Sequence, residues 1–259
     1  MTMHLSIQHS FNEILLQLTR IGLSTQPVSP RKVLFRGGRT GEISSYVAGW
    51  LAGKGIAVIV VDGANRFDPY MASSFARRAL ISPERLLKGI RIARAFTCYQ
   101  MATLMGEQLT SLLRREGETE LPQKPWVIFL GPITTFLDED VSEREARPLF
   151  ERSLKKIEEM ASRGVPFLLF QSSGFSENSP FPPFTKGRMG GLRNSKRVYL
   201  TKRLFQFSNE AWRIDLDEEG PKLILEKGIT ELQIADHKSQ IEKSVAPPFT
   251  GDDKWSDTP

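Results

Sequence analysis

Residues 33–44 read VLFRGGRTGEIS. A short apolar run enters a turn holding Gly37, Gly38 and Gly41, and sequence of helical character follows. Such a succession aims several backbone N–H groups at one point, an arrangement that suits a phosphate. Where a turn of this kind handles a triphosphate it ends Gly-Lys-Ser/Thr, the lysine meeting the phosphates and the hydroxyl holding Mg²⁺. Here it ends Gly41-Glu42-Ile43. The stretch predicts a strand, a tight turn and a helix, with side chains unsuited to the chemistry that the backbone invites.

The flanking segments extend the pattern. FNEILLQLTRI (11–21) spaces Phe11, Ile14, Leu15, Leu18 and Ile21 for a short amphipathic helix. SSYVAGWLAGKG predicts a helix ending at Gly53 or Gly55, and Ile56–Val61 is a continuous apolar run of the kind buried in parallel sheets. DPYMASSFARRAL and SPERLLKGI predict helices, the second with Ser82 as N-cap and Pro83 at the first helical position. A strand (IRIARAF), a long helix (YQMATLMGEQLTSLLRRE), a strand (WVIFLG), the helix SEREARPLFERSLKKIEEMASRG and the strand PFLLFQSS follow. Alternation of this kind predicts an α/β fold with a mostly parallel central sheet covered by helices on both faces. RVYLTKRLFQF, AWRIDL and KLILEKG are expected to add an antiparallel extension at the C-terminal side. No internal repeat is found.

Length and composition set outer limits. With 259 residues, 40% of them hydrophobic, residues 1–243 are expected to form one core domain and 244–259 a disordered tail. A formal charge of +5 suits an anionic partner without selecting one. Cys98 is the single cysteine, so an internal disulfide is impossible and a reducing, cytoplasmic location is expected. The first residues lack a signal-peptide pattern, and IAVIVV falls far short of the roughly 20 residues that a membrane helix requires. His4, His9 and His237 are scattered, no metal-ligand spacing exists, and neither a metal nor a cofactor is expected. Ser172 and Ser173 sit in no Gly-x-Ser-x-Gly elbow.

Residues 174–197, GFSENSPFPPFTKGRMGGLRNSKR, break the alternation. This long loop carries Lys186, Arg188, Arg193, Lys196 and Arg197 together with Phe175, Phe181 and Phe184. Basic side chains neutralise phosphates and aromatic rings stack on unpaired bases, so these residues are the candidate contacts to DNA, single strands above all. Lys202 and Arg203 are placed to extend the patch. The proline-rich PFPPF within the loop equally suits docking of a protein partner.

Several of these segments, taken in order, resemble the core of the RecA-like recombinases, above all the archaeal and eukaryotic strand-exchange proteins and their paralogues. Their loop often reads G-E-F-R-T-G-K-T-Q, and RGGRTGEIS aligns with it without a gap, sharing Arg39, Thr40 and Gly41. The family's I-D-T-E-G-T-F-R-P corresponds to VDGANRFDP, sharing Asp62, Phe67 and Pro69. Its P-E-x-x-L and A-R-A-F correspond to segments of SPERLLKGIRIARAF, and its V-I-D-S-I-T-A-L to IFLGPITTF. The similarity spans about residues 11–205 and implies a RecA-like P-loop fold.

The departures bear on function. The resemblance puts the phosphate-binding lysine at Glu42, the magnesium-binding hydroxyl at Ile43, the catalytic glutamate at Ala64 and the strand-four aspartate at Gly131. A carboxylate about 4 Å from a phosphate charge is repulsive by about 1 to 4 kcal/mol. Asp62, at the end of a strand, is read as capping the turn after it. Arg36, Gly37, Gly38, Arg39, Thr40, Gly41, Glu42 and Ile43 therefore form a vestigial nucleotide loop with no catalytic residue beside it. The function expected is that of an inactive relative, a pseudo-ATPase accessory or paralogue in DNA recombination or repair that binds DNA, a recombinase, or both. One alternative is an unorthodox ATPase using Arg39 and Thr40 in a register shifted by three; the other is a protein-interaction adaptor that binds no DNA.

Overall fold

A computed structural model describes residues 14–19, 31–117, 124–172, 190–217 and 220–228. The described secondary structure begins with a helical segment, α1 (14–19), and a strand, β1 (Lys32–Gly37). Helix α2 (Thr40–Gly53), β2 (Val58–Asp62), α3 (Pro69–Arg78), α4 (Pro83–Lys88) and β3 (Ile90–Arg94) follow. Next come α5 (Cys98–Thr103), a π-helical turn (Leu104–Gln108) and α6 (Leu109–Gly117), so the single helix expected there carries an inserted wide turn. Strand β4 (Trp126–Leu130), a 3₁₀ turn (Thr135–Leu137), α7 (Glu143–Ala161), β5 (Phe167–Ser172), α8 (Gly190–Phe207), β6 (Glu210–Asp217) and β7 (Gly220–Lys227) complete it.

The seven strands form one sheet in the order β3-β2-β4-β5-β1-β6-β7. Every pairing from β3 to β6 is parallel; only β6 and β7 run antiparallel. The α/β class and the mostly parallel sheet agree with the sequence. The antiparallel extension is smaller than expected, a single strand pair, because RVYLTKRLFQF lies in helix α8. Its β-branched and aromatic residues suggest a strand, but Leu200, Leu204 and Phe207 bury one helical face. Tertiary burial at i, i+4 and i+7 outweighs β propensity there.

Alternation within the strands splits the core in two. Val33, Phe35, Val58, Val60, Ile128, Leu168 and Phe170 face one layer with residues of α1 to α4. Leu34, Ile59, Val61, Val127, Phe129, Phe167 and Leu169 face the other with residues of α5, α7 and α8. Both faces are dry, which is why β2, β4 and β5 read as unbroken apolar runs. Local sequence sets several helix starts: the Asp68 carboxylate accepts from Tyr70 N at 2.8 Å ahead of Pro69, and the Ser82 hydroxyl accepts from Arg85 N at 3.4 Å ahead of Pro83. These side chains satisfy amides that the helix leaves unpaired. Among the described residues no helix is long and apolar enough to cross a membrane. The expected tail at 244–259 lies outside the described residues.

Candidate functional site

All six mutually parallel strands deliver their carboxyl ends to one edge of the sheet, where ligand sites of open α/β sheets form. The β1–α2 turn is short. Arg36 still lies within β1, paired in register with both Gln171 and Arg213, and its Nη2 donates to Glu226 Oε1 at 2.6 Å. That hydrogen bond, working against partial burial, raises the guanidinium pKa further. Gly37 has φ +144°, and a Cβ built there falls 2.3 Å from Ile214 O, so only glycine fits against β6. Gly38 and Arg39 alone connect strand to helix, with Arg39 left-handed at φ 52° and supplying no side-chain cap.

Side chains then close the chemistry of the turn. Glu42, in the first turn of α2, receives the Arg39 guanidinium, with Nε at 3.0 Å and Nη2 in closer contact. An anion there complements the helix dipole and the neighbouring cation together. Thr40 and Ile43 are buried, Ile43 within the core layer. The shifted register would need Arg39 and Thr40 to face a nucleotide. Instead Arg39 is engaged by Glu42, and Thr40 is 3% exposed.

Ala64 and Gly131, which the resemblance aligns with two carboxylates, meet each other. Asp62, fully buried at the end of β2, accepts from Phe67 N at 2.9 Å and from Ala64 N and Arg66 N at 3.2 Å. Its carboxylate therefore winds residues 63–67 into a fixed turn, the capping role read from the sequence. The turn sets Ala64 beside Gly131, whose φ is +67°. A Cβ built on Gly131 would lie 2.6 Å from Ala64 Cβ and 2.5 Å from Thr134 Oγ1. Backbone and methyl group fill the space that two carboxylates would require.

Beside this contact the strand ends enclose a cavity of about 580 Å³. Asn65 after β2, Phe96 after β3, Thr134 and Thr135 after β4, and Gln171 in β5 contribute to its wall. Arg36 and, from α8, Arg197 and Thr201 complete it. Gln171 is anchored, accepting from Ile133 N at 3.2 Å and donating to Ser172 O at 3.2 Å. Sequence reasoning missed Asn65, Phe96, Thr134, Thr135 and Gln171. Their shared signal is position, at or just past the carboxyl end of a predicted strand.

The basic loop is redistributed by the fold. Helix α8 starts at Gly190, so the loop expected over 174–197 is shorter, and Arg193, Lys196 and Arg197 belong to a helix. Lys196 is 7% exposed, its ammonium donating to Asp138 O at 2.5 Å and Val141 O at 2.7 Å. A side chain held this way ties α8 to the turn after β4 and offers no charge to a surface partner, so its assignment to a DNA contact is corrected. Arg203 is half-exposed and donates from Nε to Glu151 at 2.8 and 3.0 Å, while Lys202 is exposed. Phe181, Phe184, Lys186 and Arg188 lie outside the described residues. Compared with protein-family models and with curated proteins, the chain matches none.

Proposed function

We propose that this chain is a catalytically inactive RecA-like protein, a cytoplasmic accessory or paralogue in DNA recombination or repair. It binds DNA, a recombinase, or both, and does not turn over ATP. The observation that carries the reading is the contact of Ala64 with Gly131, taken together with the Arg39–Glu42 ion pair in the first turn of α2. The loop, the end of β2 and the end of β4, the segments that resemble the family's three catalytic regions, gather at one sheet edge. There each position that would serve a triphosphate holds a residue committed to packing or to internal charge neutralisation. Geometry of this kind retains a scaffold and discards phosphoryl chemistry.

DNA contact is assigned to the segment between β5 and α8, with Arg197 at the start of the cavity wall. Its basic and aromatic residues combine phosphate neutralisation with stacking. Removing residues 175–187 is expected to weaken single-stranded oligonucleotide binding by at least about tenfold and to lower its salt slope, since Lys186 is lost. Unchanged affinity and slope after the deletion would refute DNA contact through this segment.

A further inference from the structure

We propose that the corner formed by α3, the turn after it and α4 is a docking surface for an anionic lipid bilayer, with Leu80 entering the interface and surrounding cations meeting the headgroups. The corner lies at the amino-terminal edge of β2 and β3, where Val58 N donates to Gly89 O at 2.9 Å, opposite the strand ends that form the cavity. Docking there is independent of any contact with DNA.

The decisive feature is the turn that ends α3. Ile81 N donates to Ala76 O at 2.9 Å, the long closing bond of a helix terminus in which the residue before Ile81 turns left-handed. That residue is Leu80, at φ 55°, a position that glycine usually fills. A left-handed backbone is costly for leucine, and the side chain recovers nothing within the chain, being 95% exposed. Glycine would close this turn at lower cost. Leu80 is therefore a side chain that the fold does not use, and strain kept without an internal return points to a contact outside the chain.

The charge around Leu80 selects the kind of surface. Arg77 lies in the last turn of α3, and Arg85 and Lys88 lie in α4. Lys54 joins them from the end of α2, because a Cβ built on its neighbour Gly53 would fall 3.4 Å from Ile81 Cδ1. All four cations are exposed, and Glu84 is the one carboxylate among residues 69–91. Lys54 rests over the Trp50 ring at 4.2 Å, and none of the four is held by a carboxylate among the described residues. Cations near a helix C-terminus also complement its dipole, which accounts for charge here but not for a bare leucine beside it. An apolar side chain at the tip of a basic turn suits a lipid interface, where the chain leaves water while the cations gain from anionic headgroups.

Cosedimentation of the full chain with vesicles tests this surface. Binding is expected to vesicles of phosphatidylglycerol and phosphatidylcholine in equal parts, to weaken with salt and to be absent with phosphatidylcholine alone. Arg77→Gln, Arg85→Gln and Lys88→Gln should each weaken it by about fivefold, while Arg144→Gln, an equal charge removed from exposed α7, should leave it unchanged. Leu80→Gly is expected to weaken vesicle binding by about tenfold and yet to raise the urea midpoint of the free protein, opposite signs that a purely structural leucine would not give.

No binding to the mixed vesicles at low salt, or equal binding to neutral ones, overturns the proposal. So does a Leu80→Gly protein that binds vesicles unchanged, or one whose urea midpoint falls. If the corner variants weaken binding of a duplex oligonucleotide and leave vesicle binding intact, the corner is a nucleic-acid surface and the bilayer is refuted. Self-association that Leu80→Gly abolishes, in a protein that binds no vesicles, would instead assign the corner to a second copy of the chain.

Discussion

Ala64 and Gly131 are placed so that a Cβ built on Gly131 falls 2.6 Å from Ala64 Cβ. The ends of β2 and β4 are thereby locked together by the absence of side chains. Backbone hydrogen bonds reinforce the join, from Gly63 N to Leu130 O at 2.8 Å and from Ala64 N to the same carbonyl at 3.2 Å.

Placing an acid at Gly131 is therefore expected to damage the fold before it supports any chemistry. Gly131→Asp meets both the left-handed φ and the contact with Ala64, and should lose about 2 to 5 kcal/mol of unfolding free energy in urea. Glu42→Lys with Ile43→Thr and Ala64→Glu should leave ATP hydrolysis at background. Measurable turnover in this triple variant would contradict closure of the site.

Lys196 offers a second measurement. Lys196→Met keeps the length of the side chain but leaves Asp138 O and Val141 O without their ammonium partner, and should lower stability by about 1 to 3 kcal/mol. Salt dependence of oligonucleotide binding should not change, because the lysine faces no solvent. A reduced salt slope with unchanged stability would return Lys196 to the DNA surface.

Titration of Glu151 gives a pH dependence of known sign. Burial opposes its charge, but hydrogen bonds from Arg203 and from the Tyr199 hydroxyl, at 2.8 Å, prevail and hold its carboxyl below the usual range. A carboxylate depressed in the folded state stabilises above its unfolded pKa, and that contribution disappears as pH falls through the folded value. Wild type should exceed Glu151→Gln near neutral pH by no more than about 1 kcal/mol, since the pair is half-exposed, and the gap should close below about pH 4. A gap that persists in acid would show that shape rather than charge matters at this position.

Cys98 is fully buried, and burial raises its thiol pKa. It is expected to resist alkylation in the native protein at pH 8 and to react on unfolding in urea. Rapid native labelling would contradict the packing of α5 against the sheet.

The sequence carried the strand–helix alternation because both sheet faces are buried, so each parallel strand announces itself as an apolar run. Helix α8 was hidden because its Val198, Tyr199, Thr201 and Phe205 suit a strand, and only burial of Leu200, Leu204 and Phe207 reveals the helical period. Asp62 was legible as a capping group from its place at a strand end. The Arg39–Glu42 pair had a local signal in its i, i+3 spacing. The cavity had none of comparable strength, since Phe96, Thr135 and Arg197 are brought together only by the order of strands in the sheet.

Equilibrium binding of a fluorescent single-stranded oligonucleotide across a salt series, with and without Mg-ATP, reads DNA contact and the loss of nucleotide chemistry together. Binding that weakens steeply with salt and is indifferent to Mg-ATP is expected, its slope reporting the phosphates engaged. Affinity that changes with Mg-ATP, or no binding at low salt, would contradict a DNA-binding protein that has lost its nucleotide chemistry.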